Sequence, residues 1–334
     1  MRYKWLRILL LTLSSCIMIS ACNVAVPSEE GSTQTLTVLT IGTADSGGTM
    51  YPVGSAIAEA ITGSGNNIKI NVSASSGSVM NVQDLMTGEI DLGLVSGDIA
   101  YAALNGLEDF HEPAEGLRVV AAVYSSVSNW IAPVTTGAIY VHDLTGKRIG
   151  VGPQGSTTEL SANIAVETLG LTESGATLYN RSFTAGAQEI RNGTLDALHG
   201  FAGIPIPGLS ELADALPCRI LKYTEDELVA ILSQNPYYYR ATIPAGTYTG
   251  QTENISTFGV KCLLCVDVSM SNEQVYLLTK ALWESRQELG GLHPSANAME
   301  EPEFMCEQLP IPLHSGALQF YQETRLLNGS KTAS

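Results

Sequence analysis

The chain has 334 residues, of which 45% are hydrophobic, and this length allows a sizeable core and, at ~100–200 residues per domain, two structural units. Its formal net charge of −16 argues against a nucleic-acid partner, because binding to phosphates needs clustered Lys and Arg side chains. An overall charge of this sign also provides no attraction to anionic lipids or other polyanions.

The first 21 residues have the layout of a secretory signal peptide. Basic residues from Arg2 to Arg7 lie at the start of the apolar run LRILLLTLSSCIMIS, which is too short and too rich in serine for a membrane-spanning helix. The run leads into Ile-Ser-Ala-Cys, which resembles the lipobox of bacterial lipoproteins, where the cysteine thiol accepts a diacylglyceryl group. We therefore expect residues 1–21 to be a lipoprotein signal peptide and Cys22 to be lipidated; the alternative is a chance cysteine beside an ordinary cleavage site.

Residues 22–35 are polar and lack periodicity, so they predict a flexible tether behind the lipid. The protein is then expected to be extracytoplasmic, held at the outer face of the bacterial cell membrane by lipid instead of by a helix.

After the tether, strands and helices alternate. LTVLTIGT (36–43) is rich in strand-forming residues and ends near a glycine, and an amphipathic helix follows it. A second strand is predicted at IKINVSA (68–74), a serine-capped helix closed by a glycine at SGSVMNVQDLMTG (76–88), and a third strand at IDLGLV (90–95).

The same order of elements recurs in the second part of the chain. KRIGVGPQGS (147–156) predicts a strand that ends in a glycine-rich turn, and a helix follows it as far as Leu169. A short strand near 176–179, a helix over 185–193 and a strand in TLDALHGF complete the block. Because the whole order recurs at nearly equal spacing, the sequence predicts two α/β lobes built on one plan.

The chain is expected to cross between the lobes twice. The order of elements changes after the second block, and the C-terminal segment does not repeat the pattern of a third lobe. Its helices are therefore expected to pack on the first lobe. We therefore assign residues 36–130 and 251–334 to lobe 1 and residues 131–250 to lobe 2. Two crossings make a hinge, and a hinge between two α/β lobes makes an inter-lobe cleft.

The cysteines do not indicate a metal site. Cys262 and Cys265 have CxxC spacing, but they lie in the apolar run GVKCLLCVDV, which predicts a buried strand. Residues i and i+3 of a strand point to opposite faces, so these two thiols are not expected to share a zinc ion. Together with Cys218 and Cys306 they allow three disulfide pairings, among which the sequence does not decide.

Three glycine-rich turns lie where strands lead into helices, at residues 46–49, 76–78 and 155–158. In open α/β sheets, ligands bind at the carboxyl ends of strands. The start of a helix presents unpaired N–H groups and a partial positive charge, so it can hold a carboxylate without a cationic side chain. Cationic side chains are scarce here: between Leu36 and Thr135 only Lys69 and Arg118 occur.

The stretch Asp-Ser-Gly-Gly at residues 45–48 resembles the nucleophile loop of chymotrypsin-type proteases. In those enzymes the histidine and aspartate precede the serine, whereas all five histidines of this chain follow Ser46. The chain also lacks the G-x-S-x-G elbow that a hydrolase with its serine first would need, and no Gly-Lys-Ser/Thr ends the glycine-rich turns as in a phosphate loop. These loops are therefore predicted to bind a ligand and not to supply a catalytic nucleophile.

From about Leu36 to the C-terminus the chain resembles the TAXI class of substrate-binding proteins, the extracytoplasmic receptors of TRAP transporters. The resemblance rests on GTADSGGTMYPVGSAIAEAI, SGSVMNVQDLMTGEIDLGLVSGDIAYAAL, DLTGKRIGVGPQGSTTEL, IRNGTLDALHGFAGIPIPGLSELA, YYYRATIPAGTYTGQ and PLHSGALQFYQE, in that order. It implies a type II periplasmic-binding-protein fold, a small carboxylate or amino-acid ligand such as glutamate, and delivery to a membrane permease driven by an ion gradient. The sequence departs from the family pattern at Ser96, Gly97 and Thr157, so the identity of the ligand stays open.

The motifs and the turns together indicate a set of ligand-binding residues. Tyr51 is expected to lie over the ligand, and Asp98 to receive a ligand ammonium group or else to cap its helix. Phe201 and Pro205 are expected to wall the cleft. The full set is Gly47, Gly48, Thr49, Tyr51, Ser76, Gly77, Ser78, Asn81 and Asp98 in lobe 1, and Gly155, Ser156, Thr157, Thr158, Phe201 and Pro205 in lobe 2.

The predicted function is that of a lipid-anchored solute-binding receptor, with no cofactor, no metal and no enzymatic activity. Its expected partners are the small ligand, a TRAP-type permease and, through Cys22, the lipid membrane. Two alternatives remain at this stage: a lipoprotein enzyme, such as a hydrolase, on the same fold, and a sensory receptor that presents its ligand to a signalling partner.

Overall fold

A computed structural model describes residues 36–46, 48–65, 67–107 and 110–327. The predicted signal peptide, the lipidation of Cys22, the tether and the ligand-binding residue Gly47 lie outside the described residues. Within the described ranges, no helix has both the length and the apolar character that crossing a bilayer requires.

The described part of the chain alternates between strands and helices. Its strands are β1 (Thr37–Gly42), β2 (Ile68–Ser73), β3 (Leu92–Ser96), β4 (Leu117–Pro133), β5 (Arg148–Gly150), β6 (Thr177–Tyr179), β7 (Ala197–Ala202), β8 (Cys218–Ile220), β9 (Tyr239–Ile243) and β10 (Ile255–Asp267). Its α-helices are α1 (Met50–Gly63), α2 (Ser78–Thr87), α3 (Gly97–Asn105), α4 (Thr157–Thr168), α5 (Phe183–Arg191), α6 (Pro207–Ala215), α7 (Glu225–Gln234), α8 (Asn272–Leu292), α9 (Pro302–Cys306) and α10 (Ser315–Glu323). Short 3₁₀ helices lie at Val134–Thr136, Val141–Leu144 and Pro294–Glu300.

These strands form one sheet in the order β2-β1-β3-β10-β4-β7-β5-β6, with β8 beside β4 and β9 beside β10. The pairs at the two ends of the sheet are parallel, as expected for strands that alternate with helices. The centre is antiparallel, where β4 and β10 pair with each other along most of their length. The two long strands therefore connect two α/β units.

Two pairs of hydrophobic clusters form the core, one pair for each end of the sheet. We call the end with β1–β3, α1–α3 and α8–α10 the first lobe, and the end with β5–β8 and α4–α7 the second lobe. β4 contributes Tyr124 to the first lobe and Val127 to the second. Likewise, β10 contributes Cys262 to the first and Val260 to the second. The α/β fold class and its two lobes, both predicted from the sequence, are thereby confirmed.

Two local predictions had different outcomes. The serine cap predicted for α2 is wrong: the N-cap residue is Gly77, at φ 117°, and the hydroxyl of Ser78 instead accepts a hydrogen bond from the backbone N–H of Ser96 at 3.0 Å. The prediction for the CxxC pair is confirmed, because Cys262 and Cys265 pack into core clusters on opposite faces of the sheet. All four cysteines of the described residues are free thiols.

Candidate functional site

A cavity lies between the two lobes, at the carboxyl ends of β1, β2, β5, β6 and β7. The first lobe lines it with Ala44, Asp45, Gly48, Thr49, Met50, Ser76, Gly77 and Ser78. The second lobe contributes Pro153, Ser156, Thr157, Thr158, Phe183, Phe201 and Ala202, and β4 contributes Tyr124 and Ser126 where it passes from one lobe to the other. The cavity therefore has the position that the sequence predicts for the cleft.

Four helices begin at this cavity, since the first residues of α1, α2, α4 and α5 all line it: Met50, Ser78, Thr157 and Phe183. The N–H groups in the first turn of a helix have no partner within the helix, and the aligned peptide dipoles give that end a partial positive charge. Two of these helix starts belong to each lobe. An anion in the cavity would thus be attracted from both sides.

Hydroxyl groups form most of the polar lining. Thr157 and Thr158 are 8% and 5% exposed, and in the described part of the chain neither hydroxyl has a hydrogen-bond partner. Buried polar groups are normally paired, so these two hydroxyls are available to a ligand. Ser156 differs, because its hydroxyl caps α4: it accepts from the N–H of Glu159 at 3.2 Å and donates to the carbonyl of Pro153 at 2.6 Å.

Among the described residues that line the cavity, Asp45 is the only acidic residue, and no Lys, Arg or His is among them. The lining includes one phenol, Tyr124, whose pKa is raised well above its usual value by burial, so it stays neutral. The cavity therefore combines helix starts that favour an anion with a single carboxylate.

A buried hydrogen-bond chain supports the second-lobe wall from behind. The indole of Trp130 donates to the phenol oxygen of Tyr223 at 2.6 Å, and Tyr223 in turn lies 3.1 Å from the hydroxyl of Ser128. His199 completes the chain: its Nε2 is 3.1 Å from Ser128 Oγ, and its Nδ1 is 3.1 Å from the carbonyl oxygen of Thr158. A carbonyl only accepts, so Nδ1 carries the proton and Nε2 accepts from Ser128.

This serine–histidine pair does not make a catalytic site. Ser128 and His199 are 2% and 0% exposed and do not line the cavity, so a substrate cannot reach them. Burial lowers the pKa of His199 to about 3, against the smaller opposing effect of its bond to Thr158. Its neutral imidazole holds the first turn of α4 in place.

Asn81 has a comparable supporting position in the first lobe. It is fully buried, and its side-chain N–H groups donate to the carbonyls of Thr43 and Leu94, each at 2.7 Å, while its oxygen accepts from Ser75 Oγ at 2.7 Å. These bonds use both donors of the amide. Asn81 therefore joins the loops that line the cavity but does not line it.

Four other residues predicted to bind the ligand also lie away from the cavity lining. Asp98 is buried near the start of α3, where Oδ2 accepts from the hydroxyl of Tyr238 at 3.0 Å, and burial raises the pKa of its carboxyl. Gly155 donates its N–H to Glu159 at 2.6 Å. Tyr51 is half-buried on α1, and Pro205 follows Ile204 in the loop after β7.

The structure brings the remaining predicted residues together around the cavity: Gly48, Thr49, Ser76, Gly77, Ser78, Ser156, Thr157, Thr158 and Phe201. Sequence reasoning missed Asp45, Ser126 and Phe183. Asp45 and Phe183 follow the same strand-to-helix rule that identified the others, with Phe183 directly after the N-cap Ser182. Ser126 lies inside a strand, and no local pattern marks it.

Comparison with known proteins agrees with this architecture. One similar solved structure is that of a protein from Bordetella bronchiseptica RB50, which is 14% identical over 88% of this chain and 90% of that chain. A second is the zinc-bound ligand-binding component of an ABC-type import system from Staphylococcus aureus, which is 10% identical over 87% of this chain and 93% of that chain. Each has a TM-score of 0.50, so the likeness concerns the fold, and the type II periplasmic-binding-protein fold predicted from the sequence is confirmed. Residues 41–324 match the model of the NMT1-like family, and the chain belongs to that family.

Proposed function

We propose that the protein is a solute-binding receptor that closes its two lobes around a small carboxylate or amino acid, glutamate-like in size. The observation that carries the proposal is the convergence of four helix starts on one inter-lobe cavity, beside two buried threonine hydroxyls that have no partner in the described chain. These are the groups that bind a carboxylate in the absence of a cationic side chain.

The size of the cavity fits a small ligand. Its volume is about 80 Å³, several times the ~10–15 Å³ that holds a single water molecule.

Contacts between the lobes support a closing mechanism. Thr49 Oγ1 in the first lobe donates to the carbonyl of Gly203 in the second at 2.7 Å, and Ser295 Oγ donates to the carbonyl of Ile204 at 3.0 Å. A ligand that touches both lobes favours the closed state by its difference in affinity for the two states. A permease can then recognise the closed shape. We also propose the lobe boundaries predicted from the sequence, residues 36–130 with 251–334 and residues 131–250, with β4 and β10 shared between the two lobes.

We further propose that the receptor is of the TAXI class, that it serves a TRAP-type permease, and that Cys22 carries the lipid that holds it at the membrane. The sequence motifs support this assignment. The ABC-type import system named for one structural relative makes an ABC-type permease the alternative partner. The type of permease encoded by the neighbouring genes distinguishes a TRAP-type from an ABC-type partner. Membrane fractionation of a Cys22→Ala variant tests whether lipid on Cys22 holds the protein at the membrane.

The binding proposal is tested by calorimetry on the mature domain with acidic amino acids and dicarboxylates. We expect micromolar or tighter binding of at least one, weakened about 100-fold or more in a Thr157→Val, Thr158→Val variant, since each of the two lost hydrogen bonds to a charged group contributes roughly 1.5–3 kcal/mol. Thr168→Val, at the other end of α4, is the matched control. If no such solute binds, or the double variant binds like the wild type, the proposed site is wrong.

A further inference from the structure

The two lobes touch at Gly203, the residue that follows β7 in the second lobe. Its backbone carbonyl accepts the buried hydrogen bond from Thr49 Oγ1 of the first lobe at 2.7 Å. The next carbonyl, that of Ile204, accepts from Ser295 Oγ at 3.0 Å. Ser295 lies in the 3₁₀ helix Pro294–Glu300, between α8 and α9 of the first lobe. The first lobe thus bonds to two consecutive carbonyls of the second.

Gly203 has no room for a side chain in this arrangement. A Cβ atom placed on it would lie 2.5 Å from Ser295 Oγ, 2.6 Å from Thr49 Cγ2 and 2.9 Å from Ser295 Cβ. Non-bonded heavy atoms in good contact are about 3.5–4.0 Å apart. Thr49 cannot rotate its methyl group away without also moving the hydroxyl that bonds to Gly203. With a methyl group at residue 203, the two lobes could therefore not keep their present separation.

The need for glycine arises between the lobes and not within the second lobe. The φ of Gly203 lies outside the left-handed region, so its backbone is compatible with alanine. The three atoms nearest to its added Cβ all belong to the first lobe. Gly200 in β7 shows the opposite case, because the nearest atoms there belong to Ile206, Leu209 and Phe183 of the second lobe itself. A side chain at residue 203 would accordingly oppose the approach of the lobes.

The same contact determines the width of the cavity. Thr49 lines the cavity and directly precedes α1, while Phe201 and Ala202, which lead into Gly203, line it from the second lobe. How closely Thr49 approaches Gly203 thus determines how closely the start of α1 approaches the opposite wall. A ligand that bonds to both lobes depends on that separation, because hydrogen bonds form over a narrow range of distances, about 2.7–3.2 Å.

We propose that Gly203 is a positioning residue of the ligand site: its missing side chain sets how far the two lobes close, and with it the distance between the groups that each lobe offers to the ligand. The inference rests on the proposed function and adds to it the residue that limits closure. It holds for any carboxylate or amino acid that contacts both lobes.

The test compares the wild type with Gly203→Ala, using L-glutamate, L-aspartate, glutarate and succinate as ligands. Calorimetry measures affinity, and small-angle X-ray scattering at saturating ligand measures compaction. We expect Gly203→Ala to bind the best of these four solutes about tenfold or more weakly and to compact less, because its closed state is overpacked. Gly291→Ala in α8 is the matched control, since a Cβ atom there meets nothing within 4 Å, and it should bind and compact like the wild type.

A second background tests whether the loss comes from the contact between the lobes. In a Thr49→Ser, Ser295→Gly protein, the three atoms that the new methyl group would strike are absent, while a hydroxyl at residue 49 is kept. Adding Gly203→Ala to this protein should change its affinity less than about twofold relative to the same protein without that change.

Three results would overturn the assignment while the wild type still binds, so that the receptor function stands. They are wild-type affinity and compaction in Gly203→Ala, an equal loss of affinity in both backgrounds, and a lower unfolding temperature of ligand-free Gly203→Ala than of Gly291→Ala, which would place the need for glycine within the fold. Failure of the proposed function looks different, because the wild type then binds none of the four solutes, and the inference fails with it.

Discussion

His199 is the buried ionisable residue behind the wall of the cavity, and its protonation links the stability of the protein to pH. The folded-state pKa is about 3, well below the ordinary value of 6.5. Between these two values the unfolded chain binds a proton that the folded protein does not. The stabilising contribution of neutral His199 is therefore complete above about pH 6.5 and decreases as the pH falls towards 3.

We predict that His199 alone lowers the free energy of unfolding by about 2 kcal/mol between pH 7.5 and pH 5.0. Urea unfolding at the two pH values measures this. His199→Asn, which keeps a donor near Thr158, should be less stable at pH 7.5 but should lose less on acidification. His293→Asn is the control, because His293 is half-buried and burial lowers its pKa in the same direction. An equal loss in wild type and His199→Asn would contradict the prediction.

The residues that the sequence assigned to the ligand show where local reasoning succeeds and where it stops. A glycine-rich turn between a strand and a helix indicates that a residue lies at a helix start, and this located Ser78 and Thr158 at the cavity. It does not indicate which neighbour a side chain finds in the folded protein. Asp98 also begins a helix, but its partner Tyr238 lies 140 residues further along the chain.

At the scale of elements, the four helix starts determine how binding responds to salt. Their partial charges act within a closed cavity, over distances shorter than the Debye length of ~8–10 Å at physiological ionic strength. We therefore predict that affinity for a carboxylate ligand changes less than about threefold between 20 and 200 mM NaCl, as measured by calorimetry. A loss of tenfold or more would indicate that a cation outside the cavity lining, such as Lys69 or Arg118, holds the ligand.

The helices and strands were largely predictable because hydrophobic periodicity and glycine-rich turns mark their repeated order in the local sequence. The exceptions depend on distant partners. β4 is a run of 17 residues without alternation, buried on both faces, so its sequence does not show that one strand serves two lobes. The cap of α2 was assigned to a serine because serine commonly caps helices, but Gly77 can adopt φ 117°, which frees Ser78 to bond to β3.

At the scale of the whole molecule, the hydrogen bond between Tyr238 and Asp98 joins the two lobes through residues that do not themselves line the cavity. We predict that Tyr238→Phe weakens ligand binding about tenfold, because the closed state loses this bond and leaves a buried carboxyl oxygen short of a partner. Calorimetry measures the affinity, and small-angle X-ray scattering measures compaction, which should need more ligand in the variant.

Tyr276→Phe is the control for that variant, since the hydroxyl of Tyr276 donates to Glu323 within the first lobe at 2.8 Å. Its removal should leave the ligand concentration at half-compaction unchanged. If Tyr238→Phe compacts at the same ligand concentration as the wild type, the bond does not contribute to closure.

The pairing of β4 with β10 also governs how the protein resists degradation. Both strands supply core residues to both lobes, so neither lobe retains a complete interior when the other comes apart. Unfolding is then expected to be one cooperative event for the whole receptor, and a ligand that bridges the cavity protects every part of the chain at once. A solute-binding protein exposed to proteases would accordingly last longest where its solute is plentiful, because the bound form unfolds least often.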